Sequence, residues 1–358
     1  MQHLAPLAVG ALLQSQPAAV PLLERFVGVY VEDATTIALP ASLAAAWSGC
    51  GGNDPHGRDQ AALKTYVRLE LRHGQVTDLA FAPGRLPDVC LGQQAAPLPA
   101  GALRLKDLGF FDTPLLAQDT QAGVHWISRL PCHVEVQVGQ EARLPLAAWL
   151  QQQTADQLDV NVQVGVEQPL RCRLLVARCP EEVRQQRLRK LRERARKKGR
   201  PVSARQEVLC GWTVLITNLP PQRLTLEEAW VLYRARWQIE LLFKLWKSHG
   251  RLARSLGHRG DRVLTEVLAK LVAVLVQHWL LLLAGPWLEE LAAQRKLRRL
   301  RQSLERLVEA LDDAAQLVEE LQRLQRRLER LRRRKRRRQK PSTLDLLNDP
   351  ARAKLGVS

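Results

Sequence analysis

The alternation of apolar and polar residues along the first third of the chain predicts β-strands. In residues 26–39, Val27, Val29 and Val31 alternate with other side chains up to Asp33, and β-branched residues continue the run. Four similar runs follow, and the connection between two of them has the length of a hairpin turn. The predicted strands are 26–39, 65–72, 76–81, 102–106 and 124–129, with a helix at 113–122. Strands interrupted by helices predict a mixed α/β sheet with crossover helices.

From residue 131 to about residue 218 the pattern changes to short β runs around one strongly basic helix. The helix, residues 181–198, is predicted to end where Gly199 and Pro201 follow it. The short β runs are 133–138, 158–166, 170–177 and 210–217. We interpret this segment as a β-rich insertion between the fifth strand and the next long helix.

That next helix is predicted at 226–248, with Thr225 as its N-cap. Four of its polar residues follow the spacing i, i+3, i+7 and i+14; they are Tyr233, Arg236, Glu240 and Lys247. At about 100° per residue, this spacing places all four on one narrow stripe of a helix. A carboxylate there can hold a metal ion, and the cations and the phenol can bind phosphates beside it. The stripe indicates phosphodiester chemistry; an ordinary amphipathic helix is the alternative.

Beyond residue 254 the chain is predicted to be mostly helical. Residues 271–285 are strongly apolar but shorter than a membrane span, so we expect a buried core helix. From Leu297 to Leu321 apolar residues recur every three or four positions, which is typical of a coiled-coil-like seam. We expect a helical hairpin within the chain, with a dimer seam as the alternative. The basic run at 332–338 has too many like charges to pack, and we expect a disordered tail after Pro341.

The net charge of +18 comes from two segments of the 358-residue chain. Residues 181–205 contain 11 lysines and arginines against 3 acidic residues, and residues 323–340 contain 12 against 1. The rest of the chain is therefore close to neutral. Local basic segments are expected where a protein lies along a polyanion such as a nucleic acid. A solvated charged helix face is the alternative for the first segment.

The cysteines and the N-terminus restrict the classes of protein to consider. The 6 cysteines form no C-x2-C pair and no Cys/His cluster with zinc-site spacing, so we expect free thiols in a reducing cytoplasm. The N-terminus has no basic stretch ahead of its apolar residues, and we predict no signal peptide.

Two aspartates upstream of the predicted 226–248 helix are candidates for metal binding. A metal-dependent phosphoryl transfer to DNA requires carboxylates from separate elements around two ions about 4 Å apart. Asp33 lies in a β-branched strand, where a charge is costly to bury unless it binds something. A strand-end turn is the alternative, and Glu32 beside it is a second candidate ligand. Asp107 ends the strand 102–106 ahead of Gly109, where a turn aspartate is the alternative.

Taken together, these motifs resemble the insertion-sequence transposases of the DDE class, in the group of the insertion-sequence-four type. The resemblance rests on the order Tyr-x2-Arg-x3-Glu-x6-Lys from Tyr233 to Lys247, and on the steps Asp33-Ala34-Thr35 and Asp107-Leu108-Gly109-Phe110. It extends from about residue 26 to residue 285.

The resemblance implies an RNase-H-like core that cleaves transposon ends and joins the freed 3′-hydroxyl to target DNA, commonly through a hairpin intermediate. It implies that Asp33, Asp107 and Glu240 are catalytic and bind two Mg²⁺ ions, for which Mn²⁺ can substitute. The residues then expected to bind DNA are Tyr233, Arg236, Lys247, Lys64 and Arg129. A tryptophan could stack on a displaced base, and the candidates are Trp126, Trp212 and Trp237. For each of them, packing in the protein core is the alternative. Further expectations are a DNA-bound homodimer, a location in the bacterial cytoplasm at the nucleoid, and no membrane partner.

The predicted organisation has six parts. They are a short N-terminal segment (1–25), the first part of the core (26–130), the insertion (131–218), the core helix with Glu240 (219–254), a helical C-terminal region (255–340) and a tail (341–358). Transposases of this group usually have a sizeable region before the first aspartate, whereas 32 residues precede Asp33 here. Two alternatives therefore stay open, a truncated DNA-binding remnant that does not transpose and a stand-alone metal-dependent nuclease.

Overall fold

A computed structural model describes residues 19–50, 60–166, 168–197, 199, 201–248, 250–252, 259–283, 285, 290–332 and 341–353, with the backbone alone at 290–293 and 332. Most of the predicted N-terminal segment, and nearly all of the basic run at 332–338, lie outside these residues.

The chain divides into two compact units, each built from separate stretches of sequence. The first unit comprises the described residues of Met1–Val20, Asp33–Leu91 and Trp237–Lys340. The second unit comprises those of Pro21–Glu32, Gly92–Arg236 and Pro341–Ser358. The predicted six-part organisation stays a prediction.

The strands of the described residues form one mixed sheet. They are β1 (Val29–Leu39), β2 (Ala61–Glu70), β3 (Gln75–Pro83), β4 (Leu103–Lys106), β5 (His125–Arg129), β6 (Glu135–Val138), β7 (Leu144–Pro145), β8 (Gln157–Val164), β9 (Leu170–Arg178) and β10 (Trp212–Thr217). Their order in the sheet is β3-β2-β1-β4-β5-β10-β9-β8-β6-β7. Within the second unit β1, β4 and β5 are parallel, with Tyr30 opposite Arg104 and Leu105 opposite Ile127. The strands from β5 through β10 to β7 pair antiparallel. The mixed α/β fold and the strands predicted from sequence are confirmed.

The second unit contains one main apolar cluster and several helices. They are α1 (Pro21–Glu24), α3 (Thr113–Gln121), α4 (Leu146–Gln151), α5 (Glu181–Lys197), α6 (Ala204–Cys210), α7 (Leu226–Ala235) and α13 (Thr343–Asn348); α2 (Asp88–Gln94) spans the boundary between the units. Side chains of α3 and α4, such as Leu116 and Trp149, pack in this cluster with Trp126, Leu174 and Ile216 of the strands. This core packs against β5 through Trp126.

The helices of the first unit are the second part of the helix predicted at 226–248 and those of the predicted C-terminal helical region. They are α8 (Trp237–Ser248), α9 (Gly260–Leu282), α10 (Glu290–Arg301), α11 (Leu304–Glu309) and α12 (Ala314–Arg332). Helices α10 and α12 pack against each other, with Leu300 and Leu324 buried, so the predicted hairpin within the chain is confirmed. The seam is less regular than predicted, because Leu311, one of its predicted members, is exposed.

Helix α9 is buried on one side only, so it is in part the buried core helix expected at 271–285. Val267, Leu271 and Val274 are buried, whereas Val272 and Trp279 are exposed. By length and composition alone α9 is the one helix of the described chain that could cross a membrane, and 28% of its most apolar window is buried. A core helix of a soluble protein passes the same test, so this is weak support for a membrane segment.

The helix predicted at 226–248 is interrupted, which corrects the single-stripe argument. Helix α7 ends at Ala235, and α8 begins at Trp237. At the interruption the Arg236 amide donates to the Tyr233 carbonyl at 3.1 Å, a contact of the tighter 3₁₀ type. A constant 100° per residue therefore does not apply across Arg236, and the angular argument holds within each helix separately.

Residues 341–353, the described part of the predicted tail, are folded, contrary to the prediction of disorder. Ser342 forms a capping box with Asp345, and the side chains of Leu346 and Leu347 are buried. Helix α13 packs against α1 and α7. The prediction was wrong because it extended the charge repulsion of the basic run into a segment that has its own cap and apolar face.

Candidate active site

Asp107 lies where β4 ends and the chain turns. It precedes the 3₁₀ turn Leu108–Phe110 with an extended backbone, and its carboxylate makes no capping hydrogen bond to that turn. Phe110 is buried and anchors the turn. The Asp107 side chain keeps 34% of its surface exposed. The turn therefore fixes the position of the Asp107 backbone, and the carboxylate makes no capping hydrogen bond and is partly exposed.

Tyr233 and Arg236 lie beside the Asp107 carboxylate in the second unit. The Tyr233 hydroxyl donates to Asp107 Oδ1 at 3.3 Å, and Arg236 Nη1 lies 3.8 Å from Asp107 Oδ2. The Arg236 guanidinium is also 5.8 Å from the centre of the Tyr233 ring. The structure thus brings together a carboxylate, a phenol and a guanidinium that were singled out from the sequence.

The Tyr233 phenol remains a hydrogen-bond donor across the working pH range. Burial foremost, and then the charge of Asp107, raise the pKa of Tyr233 well above its usual value near 10. The cations Arg236 and Arg129 act in the opposite direction on this pKa. Arg129, at the end of β5, is therefore part of the same electrostatic group in the second unit.

In the first unit, Asp33 lies near Lys247. Asp33 is half-buried in β1, and its Oδ1 accepts a hydrogen bond from the Ala34 amide at 2.8 Å. Partial burial lowers the pKa of Lys247, and the charge of Asp33 opposes this shift. Glu240 lies in the first turn of α8, two helical turns before Lys247 and on the same side of that helix.

Lys64 is engaged within the first unit. It is buried on β2, and its ammonium donates to the Leu86 carbonyl at 2.5 Å and to Asp88 Oδ1 at 2.6 Å. Its predicted role in binding phosphate stays a prediction. To bind a phosphate, this ammonium would have to share its donors with Asp88.

Glu32, the second candidate for the first metal ligand, is part of a buried ion network in the second unit. Its side chain is fully buried, and its Oε1 accepts from Arg104 Nη1 at 2.8 Å. Arg104 also pairs with Asp119 of α3 at 2.9 Å. Lys106 lies in the same charged group; burial lowers its pKa to about 8, with Glu32 as the largest opposing influence. This network favours Asp33 over Glu32 as a ligand, because the Glu32 carboxylate is already neutralised by Arg104.

Sequence reasoning missed Arg104 and Asp119 as members of this network. The sequence contained a signal for this network. Tyr30 and Glu32 are two residues apart in β1, and Arg104 and Lys106 are two residues apart in β4, so each pair lies on one face of the sheet.

The three predicted metal ligands all offer carboxylate oxygens, the donor type that Mg²⁺ and Mn²⁺ prefer. Asp33 and Glu240 belong to the first unit and Asp107 to the second. Within the described residues, no group of three or more His, Cys, Asp or Glu side chains is arranged to hold a metal ion. The chemistry of the donor set fits a hard divalent cation, and the assignment of the ligands stays a prediction.

The three candidate tryptophans differ in exposure. Trp126 is 0% exposed, and Trp212 is 5% exposed with the Arg178 guanidinium 4.1 Å from its ring centre. Trp237, the first residue of α8, is 50% exposed. Buried packing accounts for the first two, and Trp237 alone of the three presents a ring that a base could reach.

Comparison with known proteins decides the family. The family described as "Transposase DDE domain" matches residues 28–276. The chain belongs to this transposase family. The predicted membership of the DDE transposases is thereby confirmed, and the mixed sheet is consistent with the RNase-H-like fold expected for a DDE domain. The Tyr-x2-Arg-x3-Glu-x6-Lys spacing from Tyr233 to Lys247 stays a prediction.

Curated relatives are transposases of bacterial insertion sequences. The transposase of IS231F from Bacillus thuringiensis subsp. israelensis is 28% identical over 272 residues, which is 71% of this chain and 56% of the relative. The transposase of IS1151 from Clostridium perfringens is 22% identical over 288 residues, 74% of this chain and 60% of the relative. The putative transposase InsL of IS186A from Escherichia coli (strain K12) is 39% identical over 88 residues. The chain spans little more than half the length of the first of these relatives.

Proposed function

We propose that this chain is a DNA transposase that cleaves the ends of an insertion sequence and transfers the freed 3′-hydroxyl into target DNA. The observation that supports this proposal most strongly is the contact of Tyr233 and Arg236 with Asp107, within the residues that match the DDE family; the charge of Arg129 also acts on Tyr233. A partly exposed carboxylate beside a guanidinium group is suited to a site where a metal ion and a phosphodiester meet.

Asp33, Asp107 and Glu240 would hold the metal, which we propose to be two Mg²⁺ ions, with Mn²⁺ able to substitute. When bound, the metal activates the attacking oxygen and stabilises the departing 3′-oxygen. The chain's own contribution is to present carboxylates from fixed elements, β1, the end of β4 and α8. Because Asp107 receives a hydrogen bond from Tyr233, its carboxylate is oriented before any ligand arrives.

Arg236 and Lys247 would bind phosphate. At 3.8 Å, the contact of Arg236 Nη1 with Asp107 is an ion pair too long for a hydrogen bond, so this group could turn toward a phosphate oxygen. Burial favours the neutral form of Lys247, and a phosphate beside it would favour the charged form, as Asp33 already does. Arg129 would act in the same way as Arg236, and Lys64 would first have to loosen its pair with Asp88.

We assign the stacking of a displaced base to Trp237, because half of its surface is exposed at the start of the helix that contains Glu240. Stacking of one base on an aromatic ring contributes about 1–3 kcal/mol. As further parts of the proposal, the transposase acts in the bacterial cytoplasm at the nucleoid, and a homodimer forms on paired DNA ends.

The test is a cleavage assay with purified protein, Mg²⁺ or Mn²⁺, and duplexes that end in the element's own inverted repeats. We expect end-specific nicks from the wild type and none from Glu240→Gln or Asp107→Asn. Glu305→Gln, an exposed acid-to-amide change on α11, is the matched control and should cleave like the wild type. Binding without cleavage in either metal would support the truncated remnant, and digestion that ignores the terminal sequence would support the stand-alone nuclease.

A further inference from the structure

The basic helix α5 is held in one orientation by an arginine that points into the protein. Arg187 Nη1 donates to the Trp212 carbonyl at 2.9 Å and contacts Cys179 Sγ at 2.9 Å, and its Nη2 donates to Thr213 Oγ1 at 2.9 Å. Leu188 beside it is buried. The opposite face of α5 is therefore fixed on the outside of the second unit.

The outer face of α5 is a set of exposed cations, which we call the α5 basic face. Its members are Arg189, Lys190, Arg196 and Lys197, with Arg194, seven residues after Arg187, at its edge. Each is exposed, and none forms an ion pair or a hydrogen bond with another side chain in the part of the chain that the structure describes. Two other arginines of the helix differ, since Arg184 pairs with Glu181 and Arg192 pairs with Glu207 of α6.

The chemistry of the α5 basic face selects one class of partner. Eight residue steps separate Arg189 from Lys197, so the cations extend along about 12 Å of helix. Glu193 is the only acidic residue between them. Duplex DNA places one negative charge per about 1.7 Å of its axis, so several phosphates lie within that length.

Two other classes of partner fit this face poorly. A membrane-surface helix needs large apolar side chains opposite its basic residues and open to lipid. Here Leu191 and Ala195 are half-buried on the inner side of α5, and Leu188 is buried. A protein interface normally has a central aromatic or aliphatic anchor, and the α5 basic face contains none.

We propose that the α5 basic face is a docking surface for the phosphate backbone of duplex DNA, which adds affinity without reading sequence. This inference rests on the proposed function, because it supposes that DNA is the substrate. It assigns the β-rich insertion the task of holding the DNA rather than cutting it. Arginine and lysine contacts to phosphate position a protein on a duplex but distinguish no base.

The test compares two variants with the same change in net charge. In the first, Arg189, Lys190, Arg194 and Arg196 are replaced by glutamine, a good helix former. In the control, four exposed arginines of α10 and α11, outside both basic segments, are replaced by glutamine; they are Arg298, Arg299, Arg301 and Arg306. Both are made in the Glu240→Gln background, so that binding is measured without cleavage. Circular dichroism melts check that each variant is folded.

Binding of a 40-base-pair duplex is measured between about 50 and 200 mM NaCl, on an end-containing and on a scrambled sequence. If three or four phosphate contacts are lost, the slope of log K against log salt should become shallower by about 3 to 3.5. The loss should be equal on both sequences and absent from the control. An unchanged slope, or an equal change in the control, would overturn the proposal, as would tighter binding of an RNA duplex of the same length.

Failure of this inference is distinguishable from failure of the proposed function. If Glu240→Gln abolishes nicking while the α5 variant binds DNA like the wild type, the chemistry stands and the docking surface is wrong. If the α5 variant loses affinity as expected while the wild type cuts no end, the docking surface stands and the transposase chemistry is wrong.

Discussion

The hydroxyl of Tyr233 can be removed almost without disturbing its ring. Tyr233→Phe deletes the donor that lies 3.3 Å from Asp107 Oδ1. A hydrogen bond to a charged group contributes about 1.5–3 kcal/mol, and this one is at the long end of the distance range. We therefore expect a loss of about 1 to 1.5 kcal/mol in the cleavage step, which corresponds to about a ten-fold lower rate. The pKa of Tyr233 is raised, so the phenol is protonated at every working pH, and the ratio of wild-type to variant rate should be constant from pH 7 to pH 9.

The assay is single-turnover nicking of an end-containing duplex at saturating metal, and Tyr30→Phe is the control. That change also removes a hydroxyl from a half-buried tyrosine in the second unit. A separate measurement tests the contact itself. The free energy of unfolding in urea is measured for the wild type, Tyr233→Phe, Asp107→Asn and the double variant, and the coupling energy between the two substitutions should be about 1 kcal/mol. A rate within two-fold of wild type together with no coupling would refute the argument that Tyr233 orients Asp107.

Three other predictions concern stability and base stacking. Leu347→Ala in α13 should lower the free energy of unfolding by about 2–5 kcal/mol, because the side chain is fully packed; a change below 1 kcal/mol in urea denaturation would show that the tail does not dock. Trp237→Ala should leave stability nearly unchanged but slow cleavage about ten-fold, whereas Trp279→Ala, also exposed, should not; equal rates of the two variants would contradict stacking. The folded-state pKa of Lys106 is about 8, below its usual 10.5, so the unfolded chain binds more protons between these values and stability should rise with pH there. In Lys106→Met the free energy of unfolding should not show this rise of about 3 kcal/mol. If urea titrations gave the same pH dependence of that free energy for the wild type and the variant, the prediction would be refuted.

The sheet was predictable because its strands have a strong period and clear breaks. Alternating valines identify β1, and the connection at Gly74 has the length of a hairpin turn, so local sequence was sufficient. The short helices α2, α4 and α6 were not predicted. Each has six or seven residues, too few for a helical period to stand out from a loop.

The two clear errors have a common physical origin. The stripe of four residues supposed a continuous helix through Arg236, and the disordered tail supposed that charge repulsion persists past Pro341. In each case a local backbone feature, the 3₁₀ contact at Arg236 or the capping box of Ser342, changed the structure within one or two residues. The choice of site residues does not depend on these errors and stays a prediction, because a motif records which residues are present and not the path of the backbone between them.

The pleat of two strands explains why two aspartates are partly exposed while the charged residues just before them are buried. Consecutive residues of a strand face opposite sides of the sheet. In β1, Glu32 is fully buried against Arg104, and the next residue, Asp33, is only half-buried. At the end of β4, Lys106 is fully buried and Asp107 is partly exposed. A buried charge is tolerated only when it is compensated, so the network behind each strand fixes which residue of each pair faces inward. A slip of one residue in either strand would bury the aspartate and expose its neighbour, and the ion network around Arg104 therefore stabilises the register on which both candidate ligands depend.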